Sequence, residues 1–389
     1  MNIGYSNVAV GAYGSGNLPV LKYTSGANYG AIFTTLGGKD VLIHDLAFDS
    51  TNTSSGDTGY NAGIPAGGPA LTLRACSFVN VGYAINTNAQ PDGVLVQDNV
   101  CPNQNSVRMY FAWVQGADQV YLGNTCKDSL NGHDLRVGGC DRLNLSYNNF
   151  TNLTSTGGLR GAMTIHQGTY VYVGHNTLNE GALGLGPLDA GAGLEDKGAR
   201  LEYVVIEDNM LNTFIHLGHG TDHVDIRDNV LNDDNNAAIQ VPGWSDQYDR
   251  GTSDVTITHN TGINNSANGK FLEVNGAVSG FTVTDNMYVA PNFVTGNFQS
   301  APIQIKNKDL TGFTLIAGNV WPAPTILANA NGGINYVGDA GTNAGYKTQA
   351  DWENYAQVKD DQFQDVTLSS SYELSVNGAL VGADMKMAA

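Results

Sequence analysis

Nine segments of this chain end on an asparagine set just beyond a short run in which apolar and other residues alternate. They are VLVQDN ending at Asn99, VYLGN at Asn124, LNLSYN at Asn148, VYVGHN at Asn176, VVIEDN at Asn209, VDIRDN at Asn229, VTITHN at Asn260, FTVTDN at Asn286 and TLIAGN at Asn319. The asparagines are separated by 25, 24, 28, 33, 20, 31, 26 and 33 residues. Two degenerate copies, VLIHDL (41–46) and LTLRAC (71–76), precede them at similar spacing. A period that drifts while its internal alternation stays at two marks stacked strands joined by loops of variable length. Each asparagine is expected to close a strand where the chain bends and to take up the left-handed conformation there. Stacked coil upon coil, the side-chain amides would hydrogen-bond to one another as a ladder.

A second strand precedes each of these. Its copies include VRMYF (107–111), DLRVG (134–138), AMTIHQ (162–167), LGLG (183–186), FIHLG (214–218), AIQVP (238–242), FLEVN (271–275) and PIQIKN (302–307). Alternation turns Leu135, Val137, Met163, Ile165, Ile215, Leu217, Ile239, Val241, Leu272 and Val274 inward and leaves the residues between them on an exposed face. Long loops, 187–202 and 242–253, follow this strand in two places. The expected fold is all-β: a right-handed parallel β-helix of about eleven coils, with two or three strands per turn. The 49 glycines and 14% charged residues suit many short strands with tight turns, not long helices. The solenoid is expected over residues 1–335. Residues 336–389, with Trp352, Tyr355 and Phe363, form a segment that covers its open end, because a terminal coil otherwise exposes apolar core.

The cysteines follow the same frame. Cys101 and Cys126 each lie two residues after a ladder asparagine and fall on adjacent coils, a placement that suits either a disulfide or two stacked core thiols. Cys76 and Cys140 have no evident mate, and no Cys-x-x-Cys or zinc pattern occurs. No run of eighteen apolar residues is present, so no membrane span is expected. Met1-Asn2-Ile3-Gly4-Tyr5 lacks the start of a signal peptide and begins as a fragment without its earlier residues would. A net charge of −18 argues against nucleic acid as a partner. The acidic, Gly- and Asn-rich repeat points to a secreted or cell-surface protein.

Chemistry is expected on the outward face of the second strand. There the aligned positions read Tyr110, Arg136, Thr164, Gly184, His216, Gln240, Glu273 and Gln304 on successive coils. Arg108 stacks against Asp134 one pleat earlier, and His166 lies one pleat later. Tyr110, Arg136 and His166 would then meet, with His133 beside them. This set suits proton abstraction next to a carboxylate. An arginine neutralises the substrate carboxylate, a histidine or tyrosine removes the neighbouring proton, and a second group donates one. Donation to the leaving oxygen gives β-elimination, and donation to the opposite ring face gives epimerisation. Arg108, Asp134, Thr164, His216, Trp244 and Tyr248 are the expected substrate-binding residues, the two aromatics offering faces for sugar stacking. Trp113, at the sheet edge, offers a third such face or else belongs to the core. The plain alternative is a surface ion pair between Arg108 and Asp134 and a polar face with no chemistry. His216, His219 and His223 straddle a Gly-rich bend and are not expected to share a metal. Asp233 and Asp234 lie beside the ladder turn, away from this face.

The asparagine-terminated strands resemble those of the pectate-lyase-like β-helix proteins over residues 30–335. His133-Asp134-Leu135-Arg136, followed by Leu143-Asn144-Leu145-Ser146-Tyr147-Asn148, is similar to the His-Asp coil of alginate C5-epimerases, although Leu130-Asn131-Gly132 replaces that family's residues ahead of the pair. The resemblance implies His133 as base and Arg136 as carboxylate neutraliser. Calcium-dependent pectate lyases carry acidic ligands on this sheet, where the present chain has Arg, Thr, His and Gln. No cofactor is therefore expected, although a structural or bridging Ca2+ is compatible with the chain. The leading expectation is an extracellular lyase acting on a uronate-containing polysaccharide. A C5-epimerase, a glycoside hydrolase and a non-catalytic glycan-binding β-helix follow it.

Overall fold

The structure is a computed structural model. It describes residues 3–23, 29–31, 34–35, 37–50, 60–79, 81–102, 110–127, 133–151, 162–179, 181–186, 200–233, 237–241, 251–266, 269–291, 301–305, 310–322, 334–335, 346–347, 353–364, 366–368, 374–376 and 379–380. The chain divides into two compact units, Met1–Leu211 and Asn212–Ala389. Each is a stretch of parallel β-helix.

In the first unit a coil consists of three short strands. Met163–Ile165, Gly168–Gly174 and Thr177–Asn179 make one such coil. Each strand pairs in parallel with its counterpart one coil away: Met163–Ile165 with Leu135–Val137, Gly168–Gly174 with the later part of Leu135–Ser146, and Thr177–Asn179 with Asn149–Thr151. Period-two alternation accounts for the interior. Leu73, Val96, Tyr121, Leu145, Val173 and Ile206 are aligned on successive coils and fully buried. Burying each such side chain is worth about 1.5–3 kcal/mol. Phe48 and Phe78 stack in the same manner, ring centroids 4.8 Å apart. The coil that ends at Asn124 shifts the frame by one residue from its apolar appearance. Its inward pair is Gln119 and Tyr121, whose hydroxyl donates to Gln119 Oε1 at 3.1 Å.

The second unit repeats the plan. Its three rows include Ile215–Leu217 against Ala237–Val241, Thr221–Arg227 against Thr252–Thr258, and Val230–Asn232 against Thr261–Ile263, all parallel.

The asparagine ladder forms as expected, and the backbone angles correct one detail of it. Left-handed φ values fall on the residue before each ladder asparagine: Asp98, Gly123, Tyr147, His175, Asp208, Asp228, His259, Asp285 and Gly318. The preceding residue makes the bend, which leaves the asparagine side chain free to turn inward. Asn99, Asn124, Asn148, Asn176 and Asn209 are buried in the first unit, each Oδ1 after the first accepting from the backbone N–H and Nδ2 of the asparagine before it. Asn229, Asn260, Asn286 and Asn319 do the same in the second.

Parallel pairing also continues past residue 335, the boundary expected for the solenoid. Val358–Lys359 pairs with Phe313–Ala317, and Gln362–Gln364 with Val320–Pro322. Asp361 occupies the ladder position there, accepting from the N–H and Nδ2 of Asn319 at 3.0 and 2.9 Å, and Asp360 before it has the left-handed φ. The strands Val366–Leu368, Leu374–Val376 and Ala379–Leu380 pair antiparallel.

All four cysteines are buried thiols, and Cys101 lies directly opposite Cys126 on the next coil. No helix among the described residues is long and apolar enough to cross a membrane.

Candidate functional site

In the first unit five parallel strands set the register of the outward face. Trp113 lies opposite Asn86 on one side and Arg136 on the other, Arg136 opposite Thr164, and Thr164 opposite Gly184. Trp113, not Tyr110, is therefore the neighbour of Arg136. Tyr110 lies three residues earlier, opposite Tyr83. The inward residues paired with Leu135 and Val137 are Ala112 and Val114. The run VRMYF satisfies the alternation as well as the true frame does, which is why its periodicity misplaces the strand.

Despite that shift, the side chains gather. Tyr83 and Tyr110 stack with centroids 5.3 Å apart, and Trp113 meets both edge-on at 6.3 and 5.7 Å. The guanidinium of Arg136 lies over the Trp113 ring, 4.8 Å from its centroid. The His133 ring is 6.0 Å from that of Tyr110, and its Nδ1 lies 2.9 Å from Thr164 Oγ1. Burial pushes His166 down to about 3, with the charges of Arg136 and His133 as further causes, so this ring stays neutral at ordinary pH. Three polar atoms of the cluster, Trp113 Nε1, Arg136 Nε and His166 Nε2, are buried without a hydrogen-bond partner. Buried polar groups are nearly always paired, so these three nitrogens are available to water or to a bound polar group. Tyr83 has no place in the candidate set drawn from the sequence, which leaves Trp113 between a sugar-stacking face and the core and does not set it beside Arg136. The register of a strand that follows a loop was the missing information.

Other expected residues fall elsewhere. Asp134 does not face the groove. It is fully buried and accepts from Cys126 Sγ at 3.6 Å, inside the coil. The bend into the strand places both Asp134 and Leu135 inside, which strict alternation does not allow for. Thr164 holds its outward register but is completely covered. Arg108, Trp244, Tyr248 and Asp234 lie outside the described residues.

In the second unit the outward row runs His216, Gln240, Glu273, Gln304, as the spacing predicts. This row is largely covered: His216 is 3% exposed and Gln304 7%. Burial, followed by the nearby His219, pushes His216 down to about 4. Glu273 accepts from Asn275 Nδ2 at 2.9 Å and pairs with Lys270 at 3.4 Å. The three histidines of this region do not converge: His223 is held by Asp222 at 3.0 Å and reaches Asp254 at 4.0 Å, while His216 is buried beside His219. Asp222, His223 and Asp254 bring their ligand atoms within 4.8 Å of one another, the one group among the described residues with metal-ligand chemistry at that spacing. Their spacing in sequence gives no hint of it, since Asp254 arrives from the next coil.

A further hollow lies in the first unit, where the strands carrying Trp113 and Arg136 continue round a bend and Gly168–Gly174 runs beside them. It has a volume of about 640 Å³ and is lined by Gln90, Asp92, Gln115, Asp141, Gln167 and Glu202, among others. Gln115 and Gln167 lie over glycines on the intervening coil: a Cβ at Gly138 would come 2.8 Å from Gln115 Nε2, and one at Gly139 2.6 Å from Gln167 Nε2.

No family model matches the chain, and no curated protein matches it. Among solved structures it is similar to two variants of the tailspike protein of E. coli bacteriophage HK620, each in complex with a pentasaccharide. Identity is 12% and the TM-scores are 0.39 and 0.38. The alignments cover 83% of this chain and 64% of the tailspike chains, so the present chain spans under two thirds of the proteins it matches.

Proposed function

We propose that this protein is an extracellular polysaccharide-active enzyme that cleaves a uronate-containing polymer by β-elimination, with its active site at Tyr110, Trp113, His133, Arg136 and His166. One observation carries the reading: an arginine fixed on an aromatic face lies beside a neutral, buried histidine, and both keep an unpaired nitrogen. Elimination next to a carboxylate needs these two functions. The guanidinium takes the uronate carboxylate and withdraws charge from it, which lowers the barrier to losing the neighbouring ring proton. His166 accepts that proton from C5. The electron pair left behind forms the C4–C5 double bond as the C4–O bond breaks, and Tyr110 or His133 supplies a proton to the departing oxygen. Binding the carboxylate offsets the charge of Arg136, one of the causes that hold His166 down, so the base strengthens as substrate arrives.

A hydrolase on this face would require two opposed carboxyl groups about 5–9.5 Å apart. Asp134, the carboxylate nearest in sequence, is turned into the core.

The test is incubation of the full chain with a panel of uronate polymers, following the ultraviolet absorbance of the unsaturated product and the C5 proton by NMR. An unsaturated end that disappears in Arg136→Ala and His166→Ala supports the assignment. New reducing ends without unsaturation, or binding with no turnover on any uronate polymer, overturn it. Loss of the C5 proton to solvent without cleavage replaces the lyase with an epimerase on the same residues.

A further inference from the structure

The hollow beyond the arginine has a chemistry of its own. Its central row runs Asp92, Ala117, Asp141, Thr169, Glu202 on five successive coils. Carboxylates thus stand on alternate coils with small residues between them. Gln90, Gln115 and Gln167 add amides at its edge. The residues next in sequence after Thr169 and Glu202 are Tyr170 and Tyr203, whose rings stack 5.2 Å apart with only 14° between their planes. These tyrosines are 60% and 45% exposed, although both take left-handed φ values (56° and 57°), a conformation uncommon for large side chains. Neither ring lines the hollow, but each follows one of its lining residues, so the pair stands at its margin. Together they have the components of a saccharide subsite: a flat face for the C–H side of a ring, and acceptors and donors for its hydroxyls.

The charge of the hollow restricts which sugar fits. Arg200, which also lines the hollow, lies 3.5 Å from Glu202, and Arg142 is taken up by Asp118 and Asp141, so each arginine is set against a carboxylate and the carboxylates, with Asp92, remain in excess. A second uronate here would bring its carboxylate among Asp92, Asp141 and Glu202 and be repelled. From Arg136 to Asp141 is five residues, roughly 16 Å of strand at most, a span of a few sugar rings.

We propose that this hollow is a subsite for an uncharged or amino-bearing sugar, and that the polymer this protein takes therefore has a mixed repeat in which such sugars separate the uronates. The proposal rests on the reading of Arg136 as the uronate-binding residue. It also reconciles the net charge of −18 with an acidic substrate, because only the Arg136 end has to meet a carboxylate.

The experiment compares binding and turnover of two groups of polymers by the full chain. Homopolyuronates (polymannuronate, polyguluronate, polygalacturonate) form one group, and polymers alternating a uronate with an N-acetylhexosamine form the other. The alternating polymers are expected to bind at least several-fold more tightly. Tyr203→Ala is expected to weaken that binding about five- to ten-fold, as the loss of one stacked ring implies, while Tyr203→Phe retains it and guards against misfolding. Asp92→Asn together with Glu202→Gln is expected to raise affinity for homopolyuronates. Equal binding of both groups, unchanged by these substitutions, overturns the mixed-repeat proposal and leaves the lyase reading intact. Binding of a wholly neutral polymer, lost in Tyr203→Ala and indifferent to Arg136→Ala, supports the subsite and overturns the uronate reading instead.

Discussion

The guanidinium of Arg136 lies 4.8 Å from the centroid of the Trp113 ring, on the adjacent coil. The contact fixes the plane in which the arginine can present a pair of N–H groups to a carboxylate. Arg136→Lys keeps the charge and loses both the planar fork and the stacking. It is expected to lower kcat/KM by about 10²-fold or more, the scale of losing a preorganised charge contact. Trp113→Leu leaves the arginine in place without its platform and is expected to cost about 0.5–2 kcal/mol in the same measure. Steady-state kinetics on both variants, with thermal unfolding as the folding control, distinguishes a fixed arginine from a merely charged one. Equal losses in the two would count against the distinction.

His166 makes stability depend on pH in a defined direction. Its folded value is pushed down to about 3, whereas an exposed histidine titrates at 6.5. Between these values the unfolded chain binds a proton that the folded chain refuses, so stability rises with pH across the window. The contribution is complete above pH 6.5 and is lost as pH falls towards 3. His216, pushed down to about 4, acts in the same sense. Urea unfolding from pH 4 to pH 8 is expected to show this slope, and His166→Gln to flatten part of it. An unchanged slope in the variant would show that His166 is not the group responsible.

Asp361 follows Asn319 in the ladder of the second unit with an acceptor in place of an amide. One of its oxygens takes both hydrogen bonds from Asn319, and the other accepts from Trp321 Nε1 at 2.9 Å. In Asp361→Asn an NH2 group would face the indole N–H, donor against donor. The expected cost is about 1–3 kcal/mol in urea unfolding, that of one unsatisfied buried group. Asn148→Ala is expected to cost more, about 2–4 kcal/mol, because it strands the N–H and Nδ2 of Asn124 and the carbonyl of Tyr121 together. A smaller loss in Asn148→Ala than in Asp361→Asn would contradict the bonding described.

The cysteines are expected to be unreactive in the folded chain. All four are buried thiols. Burial pushes Cys76 up to about 11 and Cys140 up to about 12, and Cys126 is raised by its contact with Cys101, by burial and by Asp134. A thiol reagent should therefore label none of them rapidly until denaturant is added, and a reducing agent should leave the melting temperature unchanged. A Cys101–Cys126 disulfide in mass spectra of the folded protein would show that the pair oxidises.

Much of the fold was legible because its rules are local. A buried residue at every second position, a bend before each asparagine and a repeat of 20–33 residues specify a parallel coil whatever the loops do. Leu135, Val137, Met163 and Ile165 all point inward as alternation requires. The bend itself was assigned one residue too late, because sequence shows which residue tolerates a left-handed conformation and not which one adopts it. His175 and Tyr147 adopt it, and the neighbouring asparagines do not.

The site was legible only in part. Arg136, Thr164 and Gly184 align as the sequence implies because their strands begin at comparable points of the repeat. Tyr110 does not, since a register set after a loop of unknown path depends on which frame buries better, and both frames alternate acceptably. Sequence by itself determined the parallel coil, the inward residues of Leu135–Val137 and Met163–Ile165, and the ladder. Tertiary structure alone decided that Trp113 backs Arg136, that Asp134 turns inward to Cys126, and that Asp361 takes the ladder position after Asn319, 42 residues earlier. Each of these is a contact between coils, and its register follows from how the intervening chain closes, which no pattern within a single coil encodes.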